Sequence, residues 1–79
     1  MSNTITNTSH QSITNKLNHA ARFSVSPVFS LFGVDSMGRY TLVTTDSKAD
    51  NVASQFQWHA SNGTYQGLEV RCDGVRVSL

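Results

Sequence analysis

The dipeptide Asp73-Gly74 lies between two runs in which apolar and polar residues alternate, and this feature constrains the fold more than any other. Asp-Gly is a typical two-residue β-hairpin turn, because both turn positions require a positive φ. With a two-residue loop, the alternating apolar residues fall on one face of the hairpin. The predicted cross-strand pairs are Cys72–Val75, Val70–Val77 and Leu68–Leu79.

A second hairpin is predicted upstream, from Val28–Val34 and Arg39–Thr45. Residues 35–38 between them suit a type I turn followed by Gly38 in the left-handed conformation of a bulge. One face of this hairpin then carries the pairs Val34–Tyr40, Phe32–Leu42 and Ser30–Thr44. The other face carries Phe29 and Leu31 opposite Thr41 and Val43, so both faces are apolar.

A helix over residues 48–60 is predicted between the two hairpins. Its apolar residues form one narrow stripe at helical spacing: Ala49, Val52, Ala53, Phe56 and Ala60. Ser47 and Asp50 have the spacing of a capping box, and Gly63 suits a helix end. The sequence therefore predicts an α+β domain of order β-β-α-β-β, a four-stranded, mainly antiparallel sheet with the helix on one face.

The N-terminal part of the chain is rich in Ser, Thr and Asn. Residues 1–15 contain too few apolar side chains to offset the entropy of ordering, so we predict a disordered tail there. A short helix over residues 14–22 is also consistent with the spacing of Ile13, Leu17, Ala20 and Ala21, although two turns need docking to be stable. Residues 16–79 then form a single domain.

Composition narrows the class of protein. The chain has one cysteine, and its six basic residues nearly balance five acidic ones for a net charge of +1. A domain of this size without a disulfide framework, a leader peptide or a membrane span is expected in the cytoplasm. The near-neutral charge argues against strong electrostatic capture of nucleic acid by the whole molecule.

The sequence has no pattern typical of catalysis or metal binding. Its three histidines are far apart, and no Cys-x-x-Cys or His-x-x-x-His spacing occurs. Asp35 and Asp73 fall in turns, where Asp accepts backbone hydrogen bonds. Cys72 shares the apolar face of its hairpin, so we interpret it as a buried small hydrophobe. We expect a protein that is not an enzyme and needs no cofactor or metal.

The apolar residues of the first hairpin suggest a binding surface. If Phe32, Val34 and Leu42 meet the helix, then Phe29, Leu31 and Val43 are left over on the opposite face. Each such side chain is worth roughly 1.5–3 kcal/mol when buried, so we expect something to cover them. The Phe23–Val25 segment with the short helix, a second copy of the chain, or a partner protein could do so.

Trp58 has two interpretations. If the helix continues to residue 60, Trp58 lies about 180° from the apolar stripe and faces solvent, as contact hot spots do. If the helix ends near Gln57, the chain turns Trp58 back into the core. With Phe29, Leu31 and Val43, Trp58 completes our predicted protein-binding set.

A pair of arginines offers an alternative ligand. Arg71 and Arg76 face each other across the last hairpin, with Glu69 diagonal to Arg76. They are either solvated side chains or a forked cationic patch for carboxylates or phosphates. A weak nucleic-acid-binding surface would use this pair together with Lys16, Arg22 and Arg39.

The stretch from Tyr40 to Val70, with Ala49, Ala53 and Trp58 in its helix and a following Gly67–Val70 strand, resembles small phage-encoded inhibitors, such as anti-CRISPR proteins and inhibitors of bacterial RNA polymerase. The resemblance implies an inhibitor that occludes a host protein without catalysis. Many such proteins are acidic DNA mimics, and this chain is not. We therefore expect a protein-binding module; the alternatives are a weak nucleic-acid binder and a structural homodimer.

Overall fold

The computed structural model describes residues 10–79, which form two helices and a four-stranded sheet. The elements are α1 (His10–Ala20), β1 (Phe29–Val34), β2 (Tyr40–Asp46), α2 (Ala49–Asn62), β3 (Gly67–Cys72) and β4 (Val75–Val77). All neighbouring strands are antiparallel, and their order in the sheet is β2-β1-β3-β4. The predicted α+β class and four-stranded antiparallel sheet are confirmed, with two helices packed on the sheet instead of one.

The β3–β4 hairpin forms around the predicted turn. Asp73 and Gly74 both have positive φ angles, 51° and 85°, as a two-residue hairpin loop requires. The pairs Cys72–Val75 and Val70–Val77 are present as predicted. The predicted pair of Leu68 with Leu79 does not form, because β4 ends at Val77.

The β1–β2 hairpin follows the predicted register only near its turn. Gly38 has φ 79° and its N–H donates to the Asp35 carbonyl, and the pairs Val34–Tyr40 and Phe32–Leu42 are confirmed. A bulge then shifts the register, so that Thr44 lies opposite Leu31 and Ser30 pairs with Thr45. The predicted pair of Ser30 with Thr44 was therefore wrong, since a bulge leaves one residue of a strand unpaired.

Helix α2 begins and ends close to the predicted positions. At its end, Gly63 is left-handed and its N–H donates to the His59 carbonyl. The predicted capping box does not form at its start, where Lys48 is the cap residue and no side chain caps the helix. Instead, the Asp46 carboxylate accepts hydrogen bonds from the Lys48 N–H at 2.8 Å and the Asn51 side chain at 3.0 Å.

Helix α1 begins earlier than predicted. It starts at His10, so residues 10–15, which we assigned to a disordered tail, belong to the helix; the remainder of that predicted tail lies outside the described residues. Ile13 and Leu17 are both fully buried. His10 also reaches α2, where its Nε2 lies 3.0 Å from the Asp50 carboxylate. Docking on α2 thus orders a segment whose composition is mostly polar.

The core lies between the helices and one face of the sheet. Its buried members are Ile13, Leu17, Phe29, Leu31, Ala49, Val52, Ala53, Val70 and Cys72. The register explains why β1 and β3 contribute together, because Phe29 lies opposite Cys72 and Leu31 opposite Val70. We call this side of the sheet the covered face. No helix within residues 10–79 is long and apolar enough to cross a membrane.

The structure corrects the predicted surplus surface. Phe29 and Leu31 are 1% and 0% exposed, and Val43 at the bulge is half-buried against the same core. The predicted orientation of the first hairpin was therefore wrong, because the helices cover the Phe29 side and leave the Phe32 side open. The segment that we expected to cover the hairpin does so only through α1, since Phe23 and Val25 are exposed.

Candidate functional site

The side of the sheet opposite the helices is a candidate binding surface, which we call the open face. It carries alternate residues of all four strands: Phe32 from β1, Tyr40 and Leu42 from β2, Glu69 and Arg71 from β3, and Arg76 from β4. Tyr40 is 55% and Leu42 is 54% exposed, so nothing within residues 10–79 covers them. This face therefore joins exposed apolar surface to a pair of arginines.

Glu69 is the electrostatic centre of the open face. Its carboxylate is buried and accepts a hydrogen bond from the Arg71 Nε at 2.5 Å, while the Arg76 Nε lies 3.9 Å away. The Tyr40 hydroxyl donates to the same carboxylate at 3.3 Å. The hydrogen bond from Arg71 is the largest cause that lowers the pKa of Glu69, against a smaller opposing effect of burial. The carboxylate is therefore charged at neutral pH; it is hydrogen-bonded to Arg71 and attracts the more distant Arg76.

The Arg71 side chain is fixed over two aromatic rings. Its guanidinium carbon lies 4.8 Å from the centre of the Phe32 ring and 5.9 Å from that of Tyr40. The two rings contact each other edge-on, with their centres 6.3 Å apart. Such cation–π and ring contacts orient the participating side chains as well as attracting them. Arg71, Phe32, Tyr40 and Glu69 thus form one ordered cluster.

The predicted arginine pair is confirmed as a pair, because Arg71 and Arg76 lie opposite each other in the β3–β4 ladder. The other basic residues of the predicted nucleic-acid surface do not join it. Lys16 on α1 donates to the Leu79 carbonyl, and Arg22, just after α1, donates to the His19 carbonyl. Arg39 lies in the β1–β2 turn.

Arg39 is paired locally, since its Nε donates to the Asp35 carboxylate at 3.0 Å. Asp35 also accepts from the backbone N–H groups of Met37 and Arg39, and the hydrogen bond from the Arg39 backbone is the largest cause that lowers the pKa of Asp35. The predicted role of this Asp in its turn is confirmed. The Arg39 guanidinium is therefore paired with a carboxylate of its own turn.

Trp58 lies on α2, on the side away from the buried stripe, and it is 56% exposed. The structure thus agrees with the solvent-facing interpretation of Trp58. Its ring contacts His59 edge-on, and His59 lies 5.5 Å from the Tyr65 ring. Because α2 packs on the covered face, Trp58 belongs to a different surface from the open face.

Cys72 and Asp73 carry reactive groups, but both have structural roles in this domain. Burial raises the pKa of the Cys72 thiol, which disfavours its nucleophilic thiolate. Asp73 accepts from the Ser24 hydroxyl at 2.7 Å and from the Val28 N–H at 2.9 Å, which joins the start of β1 to the β3–β4 turn. Within residues 10–79, no three His, Cys, Asp or Glu side chains are grouped to hold a metal ion.

A small cleft adjoins the open face where β4 ends. Its volume is about 240 Å³, and its apolar lining includes Phe56, Leu68 and Leu79. Glu69 and Arg76 form its polar side. Sequence reasoning missed this cleft because it extended β4 to Leu79, which would have closed it.

The open-face residues Phe32, Tyr40 and Leu42 were also missed as site residues, because that face of the first hairpin was assigned to the helix side. The alternation of Glu69 and Arg71 with apolar residues was the available signal, since a strand with one charged face keeps that face uncovered.

Comparisons of the chain with protein-family models, with curated protein sequences and with solved structures found no match.

Proposed function

We propose that this chain is a non-enzymatic protein-binding module that captures its partner on the open face of the sheet. The observation that carries the proposal is the exposure of Tyr40 and Leu42 beside an ordered arginine. Tyr and Arg are enriched among the residues that dominate protein interfaces, and lone exposed aliphatic residues beside them supply apolar contact area. Side chains that are ordered before binding lose less entropy when a partner docks.

Electrostatics favours a protein partner over a nucleic acid. Both arginines of the open face share the Glu69 carboxylate, so the three side chains together carry a net charge of only +1. One face of the Phe32 ring is occupied by the Arg71 guanidinium, which limits stacking of a base there. Nucleic-acid binding depends on several phosphate contacts, which this face offers sparsely.

A weak nucleic-acid interaction is the second candidate, and the pairing of Arg71 with Arg76 is the observation in its favour. It predicts binding to single-stranded DNA at low salt that falls steeply as salt is added. Absence of binding at low salt would remove this candidate. The resemblance to phage-encoded inhibitors implies a role for the module that we propose: it would inhibit a host protein by occluding it.

Site-specific photo-crosslinking tests the leading proposal. A photoreactive amino acid replaces Leu42 on the open face, and the matched control carries it at Val75, which is 69% exposed in β4. The partner is expected to crosslink from position 42 and not from position 75, in the cells that make the protein. Equal crosslinking from both positions would contradict the proposal.

The same experiment separates a partner protein from a second copy of the chain. A crosslinked product at twice the mass of the chain would support the structural homodimer instead. Edge strand β2, which carries position 42, would then be the place where copies meet, since a sheet edge offers unpaired backbone groups.

A further inference from the structure

The first half of β3, residues 67–69, has no neighbouring strand on its outer side within the part of the chain that the structure describes. The inner side of β3 pairs with β1 along the whole strand, but its outer side pairs with β4 only at Val70, Arg71 and Cys72. Because ladder hydrogen bonds alternate, Gly67 and Glu69 bond to β1, and Leu68 directs its N–H and C=O toward the outer side, where an added strand could pair with them.

The last residues of the described chain do not continue the ladder along this edge. Leu79 would lie opposite Leu68 if the ladder continued, but its carbonyl accepts a hydrogen bond from the Lys16 Nζ on α1 at 3.2 Å. The gap that results is the cleft of about 240 Å³ lined by Phe56, Leu68 and Leu79. It is smaller than the roughly 300–1,000 Å³ of a pocket for a whole small-molecule ligand, so its size suits one apolar side chain.

Arg76 gives this edge its charge preference. Both arginines turn their Nε toward Glu69, and the Arg76 side chain is 76% exposed. No acceptor among residues 10–79 bonds the terminal guanidinium nitrogens of Arg76, so they are available to a carboxylate in forked geometry. Residues on one strand alternate between the faces of a sheet, so neighbouring residues of an added strand would meet the cleft and Arg76 respectively.

From these three features we propose that the partner contributes an extended peptide segment that adds to β3 along residues 67–69. An apolar side chain of this segment enters the cleft, and an adjacent Asp or Glu faces Arg76. The inference rests on the proposed function, because it names the class of partner that the module binds. Backbone hydrogen bonds would supply affinity, and the apolar–acidic pair would supply specificity.

Selection from a displayed library of random linear peptides tests the inference. The enriched peptides are expected to contain an apolar residue next to an acidic one, and to shift the amide resonances of Gly67, Leu68 and Glu69 in NMR spectra. Changing the acid to its amide, or making Arg76→Gln, is expected to weaken binding about ten-fold. Arg76→Lys keeps the charge and loses the forked geometry, so its affinity for the peptide is expected to lie between those of the natural chain and Arg76→Gln.

Two matched controls separate strand addition at this edge from binding by side chains or by any exposed arginine. N-methylation of the peptide bond beside the apolar residue removes a backbone donor and is expected to abolish binding, although both side chains stay. Arg22→Gln changes an exposed arginine that follows α1 and donates to the His19 carbonyl, and it is expected to leave the affinity unchanged. Circular dichroism of each variant confirms that it is folded.

The outcomes separate this inference from the proposed function. Peptides that bind and tolerate N-methylation, or that lack an acid, would overturn the inference, while crosslinking from position 42 would still support the open face. Failure to enrich any peptide would also overturn it. Displacement of the peptide by single-stranded DNA at physiological salt would assign the Arg76 site to phosphate and overturn the acidic-peptide class.

Discussion

The two faces of the sheet come from the same four strands, yet they hold apolar side chains in different ways. On the covered face, Phe29 and Leu31 are removed from water by α1 and α2. On the open face, Phe32 lies beneath the Arg71 guanidinium, and Tyr40 remains 55% exposed. Apolar residues on a strand therefore do not identify the core by themselves. Their charged neighbours on the same face decide which side a helix can cover.

Substitutions on the two faces should differ most in how much they lower the free energy of unfolding. Leu31→Ala removes a fully buried side chain and should lower the free energy of unfolding by about 2–5 kcal/mol. Leu42→Ala, on the open face, should cost about 0.5 kcal/mol, because Leu42 is half exposed. Urea unfolding followed by circular dichroism measures both. Equal losses would mean that the open face is covered in solution.

Two glycines on opposite faces of the sheet differ in the space around them. A Cβ at Gly33, on the covered face, would lie 2.5 Å from the Tyr65 ring, whereas a Cβ at Gly67, on the open face, would meet Val34 at an ordinary 3.8 Å. Gly33→Ala should therefore cost about 1–3 kcal/mol through overpacking, and Gly67→Ala should be nearly neutral. Unfolding free energies measure both.

The Gly33 prediction has an internal check. If the Tyr65 ring is the cause, Gly33→Ala should cost less in a Tyr65→Ala background than in the natural chain, which a double-mutant cycle measures. An unchanged cost would show that the extra methyl is destabilising for another reason, and that the Tyr65 ring does not constrain this glycine.

Glu69 supplies the negative charge at the centre of the open face. Glu69→Gln leaves Arg71 and Arg76 opposite each other without a carboxylate between them, and should cost about 1 kcal/mol at neutral pH. Because folding lowers the pKa of Glu69, its stabilisation is present above the ordinary glutamate pKa and is lost as the pH falls through the lowered value. Acid titration of the unfolding free energy should thus be shallower in the variant.

A second substitution tests the cause. Adding Arg71→Gln to Glu69→Gln removes one of the two like charges and should restore part of the lost stability. If the double variant were less stable than Glu69→Gln alone, stacking of Arg71 on Phe32 would outweigh the repulsion between the arginines.

Local features of the fold could be predicted from the sequence, whereas the face of the sheet that the helices cover could not. Both turns follow from Asp73-Gly74 and Gly38, because their backbone angles are set by neighbouring residues. The orientation of β1 depends on its pairing with β3, which is distant in sequence. Once Leu31 lies opposite Val70, the apolar side of β3 fixes the covered face, and that register has no local signal.

The start of α1 was missed for a related reason. Its composition is mostly polar, and the cost of ordering it is offset by two buried residues, Ile13 and Leu17, together with the contact of His10 with Asp50. These contacts are tertiary, so a local count of apolar residues underestimates the helix. The candidate site shares this dependence, since the open face and the cleft exist only after the strands pair.

The smallest expected effect is that of Trp58→Ala on stability. Trp58 is 56% exposed on α2, so its removal should change the free energy of unfolding by less than about 1 kcal/mol. Since α2 packs on the covered face, one partner surface that docks on the open face does not reach Trp58, and we expect crosslinking from position 42 to persist. Loss of the partner by a folded Trp58→Ala variant would make Trp58 the anchor, as the sequence alone suggested, and would contradict docking on the open face.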